Sequence, residues 1–293
     1  MISESTPKTN TAEKNTRYAI VGGGIAGLAT AYQLQKKLAS ESQYGHPVTI
    51  DVFEKGSAES YHAGESAKRA SLGESPARTM RMSGGAFNVR ATKAMIDDLQ
   101  QFLDTATENG QLAALGLEAF KGRQLFQPVE NIYIGKADEL TNESSKYATN
   151  KAAFAKTNTL IEEISGLELK QRYRGTQNAT GDTPRSIYEN IADDAAVLIE
   201  KAYDPVSNPE GVSGVMDYEA ILNVLVAKLR NHPTVPALIH FGHQVTPARL
   251  DAKQAYQETA DGMVTLQIAD TQQPLEKITQ SFDKLIIAPG EAI

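Results

Sequence analysis

The chain of 293 residues carries 29 Lys+Arg against 36 Asp+Glu, a formal net charge of -7, 41% hydrophobic residues and no cysteine. The missing cysteines exclude disulfide scaffolds, thiolate metal centres and a cysteine nucleophile, and the acidic balance argues against nucleic acid, whose phosphates require Lys and Arg. No apolar run nears the roughly 20 residues that span a bilayer, and Met1 to Thr16 is polar without the apolar core of a secretory signal, so a disordered tail over 1–16 and a cytoplasmic chain are expected.

Order begins at Arg17. Tyr18-Ala19-Ile20-Val21 is a short apolar run that stops at three glycines, which predicts a buried strand in a parallel sheet. Ile25 to Leu38 has helical spacing, with Ile25, Leu28, Ala29, Tyr32 and Leu34 as its apolar stripe. Val48 to Phe53 alternates around Asp51 and reads as the next strand. Together they make a βαβ unit with a right-handed crossover. Gly56 to Ser75, rich in Gly, Ser, Ala and Glu, is a loop. Ala91 to Gly110 is helical, with Met95, Ile96, Leu99, Phe102 and Leu103 on one face. Val129 to Ile134 is strand-like, Asn150 to Leu167 reads as a helix, and Ala195 to Ile199 as another strand. Asp217 to Arg230 is a marked helix with Asp217 in the N-cap position. Ala237 to Phe241, Val264 to Ile268 and Lys284 to Ala288 are strands. Strands and helices alternate at both ends, so the class is α/β with an inserted middle segment.

Gly22-Gly23-Gly24-Ile25-Ala26-Gly27 fits G-x-G-x-x-G after a strand and before a helix, the context in which the pattern binds dinucleotides. The first glycine permits the turn, the second lets backbone approach a pyrophosphate, and the third lets helix pack on strand. The phosphates then meet N–H groups at the helix N-terminus. Glu54 ends the second strand, where a carboxylate can accept both ribose hydroxyls of an adenosine. It comes later than the usual ~20 residues because of the polar stretch before Pro47. The motif serves NAD and FAD alike. Other chemistries lack their signatures: there is no H-E-x-x-H for a metal, no G-x-S-x-G for a hydrolase and no P-loop for an NTPase. The five histidines form no metal motif, and Glu108, Glu118 and Glu130 show no pairing in their spacing.

Three further segments accompany the nucleotide motif: Arg78-Thr79-Met80-Arg81 after the Gly/Ser loop, Val215-Met216-Asp217-Tyr218 opening a helix that leads to Gln244-Val245, and Leu285-Ile286-Ile287-Ala288-Pro289-Gly290. In this order the chain resembles the D-amino-acid oxidase family of FAD flavoproteins, with the sarcosine and N-methylamino-acid oxidase branch closest, from Arg17 to the last residue. The resemblance implies an Arg-x-x-Arg pair in the loop beside the flavin at Arg78 and Arg81, a valine whose backbone meets the adenine at Val245, and a late strand near the cofactor ending at Ala288 and Gly290. Lys93 to Leu103 matches the branch's long helix and Asn131 to Gly135 the strand entering its substrate domain. The chain departs from the branch in a longer Gly56 to Pro76 loop, in Ala77 where a polar residue is usual, and in Pro289 inside the last motif. It also ends three residues after Gly290, where the family continues with the segment that finishes the substrate sheet and the flavin domain.

The expectation is therefore a Rossmann-type FAD-binding domain with an inserted α+β substrate domain: 17–123 and 207–293 form the FAD domain and 124–206 the substrate domain. FAD is expected along Val21, Gly22, Gly23, Gly24, Ile25, Ala26 and Gly27, with Glu54 and Lys55 at the adenosine end and Arg78, Val245, Ala288 and Gly290 completing the site. Arg81 is the expected clamp for a substrate carboxylate, because a guanidinium fork binds both oxygens. No metal site is expected. The resemblance implies oxidation of the C–N bond of an amino acid or N-methylated amine by hydride transfer to flavin. Two alternatives stay open: a split-enzyme FAD-binding fragment whose partner chain supplies the C-terminal half, and an NAD-dependent dehydrogenase.

Overall fold

A computed structural model of the chain describes residues 15–41, 47–59, 79–83, 89–136, 144–173, 188–246, 257–258 and 262–288. In chain order its elements are β1 (Thr16–Val21), α1 (Ile25–Glu41), β2 (Val48–Glu54), β3 (Thr79–Met82), α2 (Val89–Glu108), α3 (Leu112–Leu115), β4 (Phe126–Pro128), β5 (Asn131–Gly135), α4 (Lys146–Lys156), β6 (Ile161–Ser165), α5 (Gly166–Arg172), β7 (Ala196–Glu200), β8 (Gly214–Asp217), α6 (Tyr218–Arg230), β9 (Ala237–Phe241), β10 (His243–Thr246), β11 (Gln257–Glu258), β12 (Val264–Asp270), β13 (Lys277–Phe282) and β14 (Lys284–Ile287). Among the described residues no helix is long and apolar enough to cross a membrane. The chain divides into two compact units, one of Met1–Pro76, Thr105–Lys121 and Leu222–Ile293, the other of Ala77–Asp104 and Gly122–Ile221.

The first unit is built on a parallel sheet in the order β14-β1-β2-β9. Its strands are apolar because both faces are covered. On one face Ile20 lies against Gly27 of α1. On the other, Ala19 and Phe53 pack with Leu266, Ile268 and Phe282 of an antiparallel sheet made by β10, β11, β12 and β13. That second sheet explains Asp51. The antiparallel layer buries it, leaving 2% exposed. The cost of burying a carboxylate is offset by two partners: Arg17 Nη2 at 3.2 Å from Oδ2 and His240 Nε2 at 2.8 Å from Oδ1. Another polar side chain does comparable work on the helical face. Buried Gln35 of α1 donates through Nε2 to the carbonyls of Leu229, at 2.9 Å, and Val235, at 2.7 Å. The first of these belongs to the last turn of α6, whose carbonyls have no intrahelical donor.

The second unit holds two antiparallel sheets, β3-β8-β4 and β5-β7-β6. The central strand β7 is buried along its whole length. Its residues alternate between two clusters: Ala196 and Leu198 meet Tyr147 and Phe154 of α4, while Val197 and Ile199 meet Leu169 of α5. An unbroken apolar run is the sequence form of a strand covered on both sides. β3 pairs with β8 in the register Arg81↔Val215, and residues 77–104 fall in this unit. The unit extends to Ile221, while Thr105–Lys121 belongs to the first unit.

Most expected elements are present, with one clear correction. Asn150 to Leu167 is not one helix: α4 ends at Lys156, β6 follows, and α5 begins at Gly166. Asn158 takes a positive φ of 52°, which breaks the helix. Ser165 and Glu168 then form a reciprocal capping box that starts α5. The N-cap expectation at Asp217 holds, with its Oδ1 accepting from the Ala220 N–H at 3.0 Å. Glu130, which showed no pairing in its spacing, has partners far along the chain: Lys201 Nζ at 3.0 Å and the Tyr173 hydroxyl at 2.6 Å.

These contacts belong to an ion network. Lys201 also reaches Glu162 at 2.5 Å, and Arg172 grips Glu162 through both guanidinium nitrogens at 2.6 and 2.7 Å. The hydrogen bonds from Arg172 and then Lys201 hold the Glu162 carboxyl down at about 2, from an ordinary 4.5. For Glu130 burial pushes upward, but the bonds from Tyr173 and Lys201 outweigh it and leave the carboxyl below its ordinary range. A depressed carboxylate contributes stability that is complete above its unfolded value and fades as pH falls through its folded one. The thermal midpoint of the second unit should therefore hold from neutral pH down to 4.5 and fall as pH approaches 2. Glu162→Gln should melt about 2 °C lower at neutral pH, since the pair is partly exposed, and should show a shallower acid decline. Melts followed by circular dichroism across this range check it, and identical acid profiles for the two proteins would contradict it.

Candidate functional site

The parallel strands of the first unit all end on one side, and β1 sits where the strand order turns: β2 on one flank follows it through α1, while β14 on the other comes from the end of the chain. Crevices at such switch points, outside the carboxyl ends of the strands, are where open α/β sheets bind ligands. Three ends meet there. Val21 closes β1, and its carbonyl accepts from the Ala288 N–H, just past β14, at 2.7 Å. Phe53 lies opposite Val21 in β2, and its carbonyl accepts from the Gly22 N–H at 2.9 Å. Each end thus fixes the start of the glycine turn.

Within the turn the glycines differ in their reasons. Gly22 has φ 108°, a conformation that side chains rarely adopt. A Cβ on Gly27 would collide with the Gly22 carbonyl oxygen, so this glycine is what brings α1 down onto β1. Gly24 is the opposite case: nothing among the described residues lies within 4 Å of where its Cβ would stand. Space is left open at the mouth of α1, whose first-turn N–H groups have no intrahelical acceptor. Such a turn fits a pyrophosphate, which needs close backbone approach and N–H donors.

Glu54 completes the arrangement. Its Oε2 accepts from the Gly23 N–H at 2.8 Å and its Oε1 from the Gly56 N–H at 2.8 Å. Each carboxylate oxygen has a second lone pair, so the group held in this way can still accept from a vicinal diol. Gly23 packs closely on it, since a Cβ there would come within 2.7 Å of the Glu54 Cβ. Lys55 follows as an exposed residue. Val245 lies in β10, the strand at the edge of the antiparallel sheet, paired with Ile268 and packed beside Phe53's cluster.

The structure therefore brings together, in one unit, Val21, the turn from Gly22 to Gly27, Glu54, Lys55, Val245 and Ala288. Arg78 and Gly290 lie outside the described residues. Arg81 is described through its backbone, in β3 of the second unit rather than in a loop. Spacing alone missed the support beneath Glu54. His240 stacks on Phe53 with ring centroids 4.9 Å apart and 13° between planes while bonding Asp51, and the Gly242 N–H donates to the Gly56 carbonyl at 2.7 Å. These partners lie almost two hundred positions away in sequence, and the one local signal was a polar Asp51 inside an apolar strand.

Residues 20–94 match the NAD(P)-binding Rossmann-like domain family. None of the curated proteins matches the chain. Among solved structures it is similar to the L-amino acid deaminase from Proteus vulgaris, at 15% identity and a TM-score of 0.47 over 99% of this chain and 49% of that one. The chain thus spans about half the length of that protein. It contains a Rossmann-like domain with a parallel sheet in an α/β arrangement.

The contrast between two glycines can be measured by urea unfolding. Gly27→Ala should lower stability by roughly 3 kcal/mol or more, because its Cβ meets backbone that cannot step aside. Gly24→Ala should stay within about 1 kcal/mol of the parent. Equal losses at both positions would contradict the close approach seen at Gly27.

Proposed function

We propose that this chain binds FAD and serves the oxidation of the C–N bond of an amino acid or N-methylated amine, in the manner of the D-amino-acid oxidase family and its sarcosine oxidase branch. The observation that carries the reading is the pairing of an open glycine turn with a carboxylate fixed at the end of β2. The turn at Gly22 to Gly27 admits the pyrophosphate, and Glu54 takes the adenosine ribose hydroxyls on its remaining lone pairs. The same carboxylate repels a ribose 2′-phosphate, so NADP is disfavoured. Val245 supports an adenine contact from the outer edge of β10, and Ala288 closes the crevice beside Val21. FAD, when bound, accepts hydride from the substrate's alpha carbon. The chain's own task is to bind, orient and exclude water. Arg81 is the proposed clamp for the substrate carboxylate, with Arg78 and Gly290 nearer the cofactor.

A second reading is favoured by the family matched over residues 20–94, whose description names NAD(P). The two readings part in an equilibrium titration of the purified chain with FAD, NAD and ADP. FAD should bind, ADP should compete with it through the shared adenosine half, and NAD should bind more weakly. Glu54→Ala should weaken FAD by a few kcal/mol at most, about what two poorly satisfied hydroxyls cost. Arg81→Lys should leave FAD affinity unchanged and lower amino-acid affinity, because Lys replaces a planar fork with a point charge. Binding of NAD without FAD would overturn the flavin reading.

A further inference from the structure

The second unit buries a carboxylate that the nucleotide site does not use. Glu200 ends β7 and is fully buried, after four apolar residues that fill both faces of its sheet. Burying an acid is costly unless hydrogen bonds satisfy it. Its Oε2 accepts from Asn131 Nδ2 at 3.2 Å and from the Tyr133 hydroxyl at 3.2 Å. Both donors come from β5, on the face where Tyr133 also meets the Phe154 ring at 5.3 Å between centroids.

Each donor has a second partner, and the two partners are consecutive. Asn131 Nδ2 donates its other hydrogen to the Met82 carbonyl at 2.8 Å. The Tyr133 oxygen lies 2.9 Å from Ser83 Oγ. An amide nitrogen carries two protons and a phenol one, so an acceptor-only carboxylate suits both. It draws one proton from each side chain and leaves Asn131 a donor for Met82 and Tyr133 a partner for Ser83. Met82 is the last residue of β3, the strand that carries Arg81. The carboxylate is thus the common anchor of the two side chains that grip the end of that strand.

We propose that Glu200 is a positioning residue. It orients Asn131 and Tyr133, and through them fixes the Met82–Ser83 end of β3 and so the strand placement of Arg81. The link to substrate rests on Arg81 being the carboxylate clamp proposed above. The hold on β3 does not. Glu200→Gln keeps the shape but replaces the charged acceptor by a neutral amide whose single oxygen must serve both donors, so both grips weaken.

The experiment compares the full chain with Glu200→Gln and with Tyr133→Phe, which removes one hydroxyl and keeps the ring packing. Amide hydrogen exchange is read over Thr79 to Ser83 and over β5, β6 and β7, and alanine, proline and their N-methyl derivatives are titrated into the FAD-saturated proteins. The expected result is exchange at least about tenfold faster over Thr79 to Ser83 in Glu200→Gln, little change along the three strands, and amino-acid affinity about tenfold weaker. Should Glu200→Gln not fold, Tyr133→Phe gives the same local signature. Unchanged exchange over Thr79 to Ser83, or an equal rise across all the strands, overturns the positioning role. Faster local exchange with unaltered amino-acid affinity overturns the link to the clamp. A parent chain that takes up none of these ligands, with the local exchange result intact, counts against the proposed substrate class and leaves the hold on β3 standing.

Discussion

The carboxylate of Glu54, held between the N–H groups of Gly23 and Gly56, is the contact on which the first unit's site depends. It joins the end of β2 to the turn after β1, so neither loop can settle without the other. The turn is fixed from below as well, by the Phe53 carbonyl on Gly22 and by Ala288 on Val21. The result is backbone held still around an opening at Gly24, and preorganised backbone donors are what an anion site requires. A charge-assisted bond to backbone N–H is stronger than a neutral one, and here it needs no second side chain whose rotamers must be frozen.

The layer beneath this contact is equally constrained. An antiparallel sheet, rather than a helix, covers the second face of the parallel sheet, which puts Asp51 where water cannot reach it. Arg17 and His240 answer it from the strands flanking β2 on either side, and Arg17 lies over the Phe282 ring at 4.6 Å. The ring stack of His240 on Phe53 adds a lateral support one residue before Glu54. The second unit repeats this logic with Glu200: a buried acid, satisfied by neighbouring side chains, marks where the chain must be aligned rather than merely packed.

Local signals were the legible ones. The β1–turn–α1–β2 unit could be read from sequence because its information is contiguous: an apolar run, glycines at fixed offsets, a helical stripe and a closing acid. β7 was legible as an unbroken apolar run, and α6 through its cap at Asp217. β3 was not, because Thr79–Met82 is four residues long and is a strand only by pairing with β8, over a hundred positions later. β13 escaped for the same reason: Lys277–Phe282 is mostly polar and its first half is exposed, and its pairing with β12 makes it a strand. The misread helix at Asn150 to Leu167 held its own warning in Ser165 and Glu168, a capping-box spacing that starts a new helix at the end of the supposed one. The partners of Asp51, Glu130 and Glu200 carried no such warning, since side-chain pairing across distant strands leaves no spacing to read.

If the opening at Gly24 receives the cofactor's pyrophosphate, a side chain at that position must block FAD without unfolding the protein. Gly24→Val places a side chain in space that the described residues leave empty, so the protein should melt near the parent's temperature. FAD affinity, measured at equilibrium on this protein beside the parent, should fall by about a hundredfold or more. A Gly24→Val protein that binds FAD as tightly as the parent would show that the glycine turn is not the site.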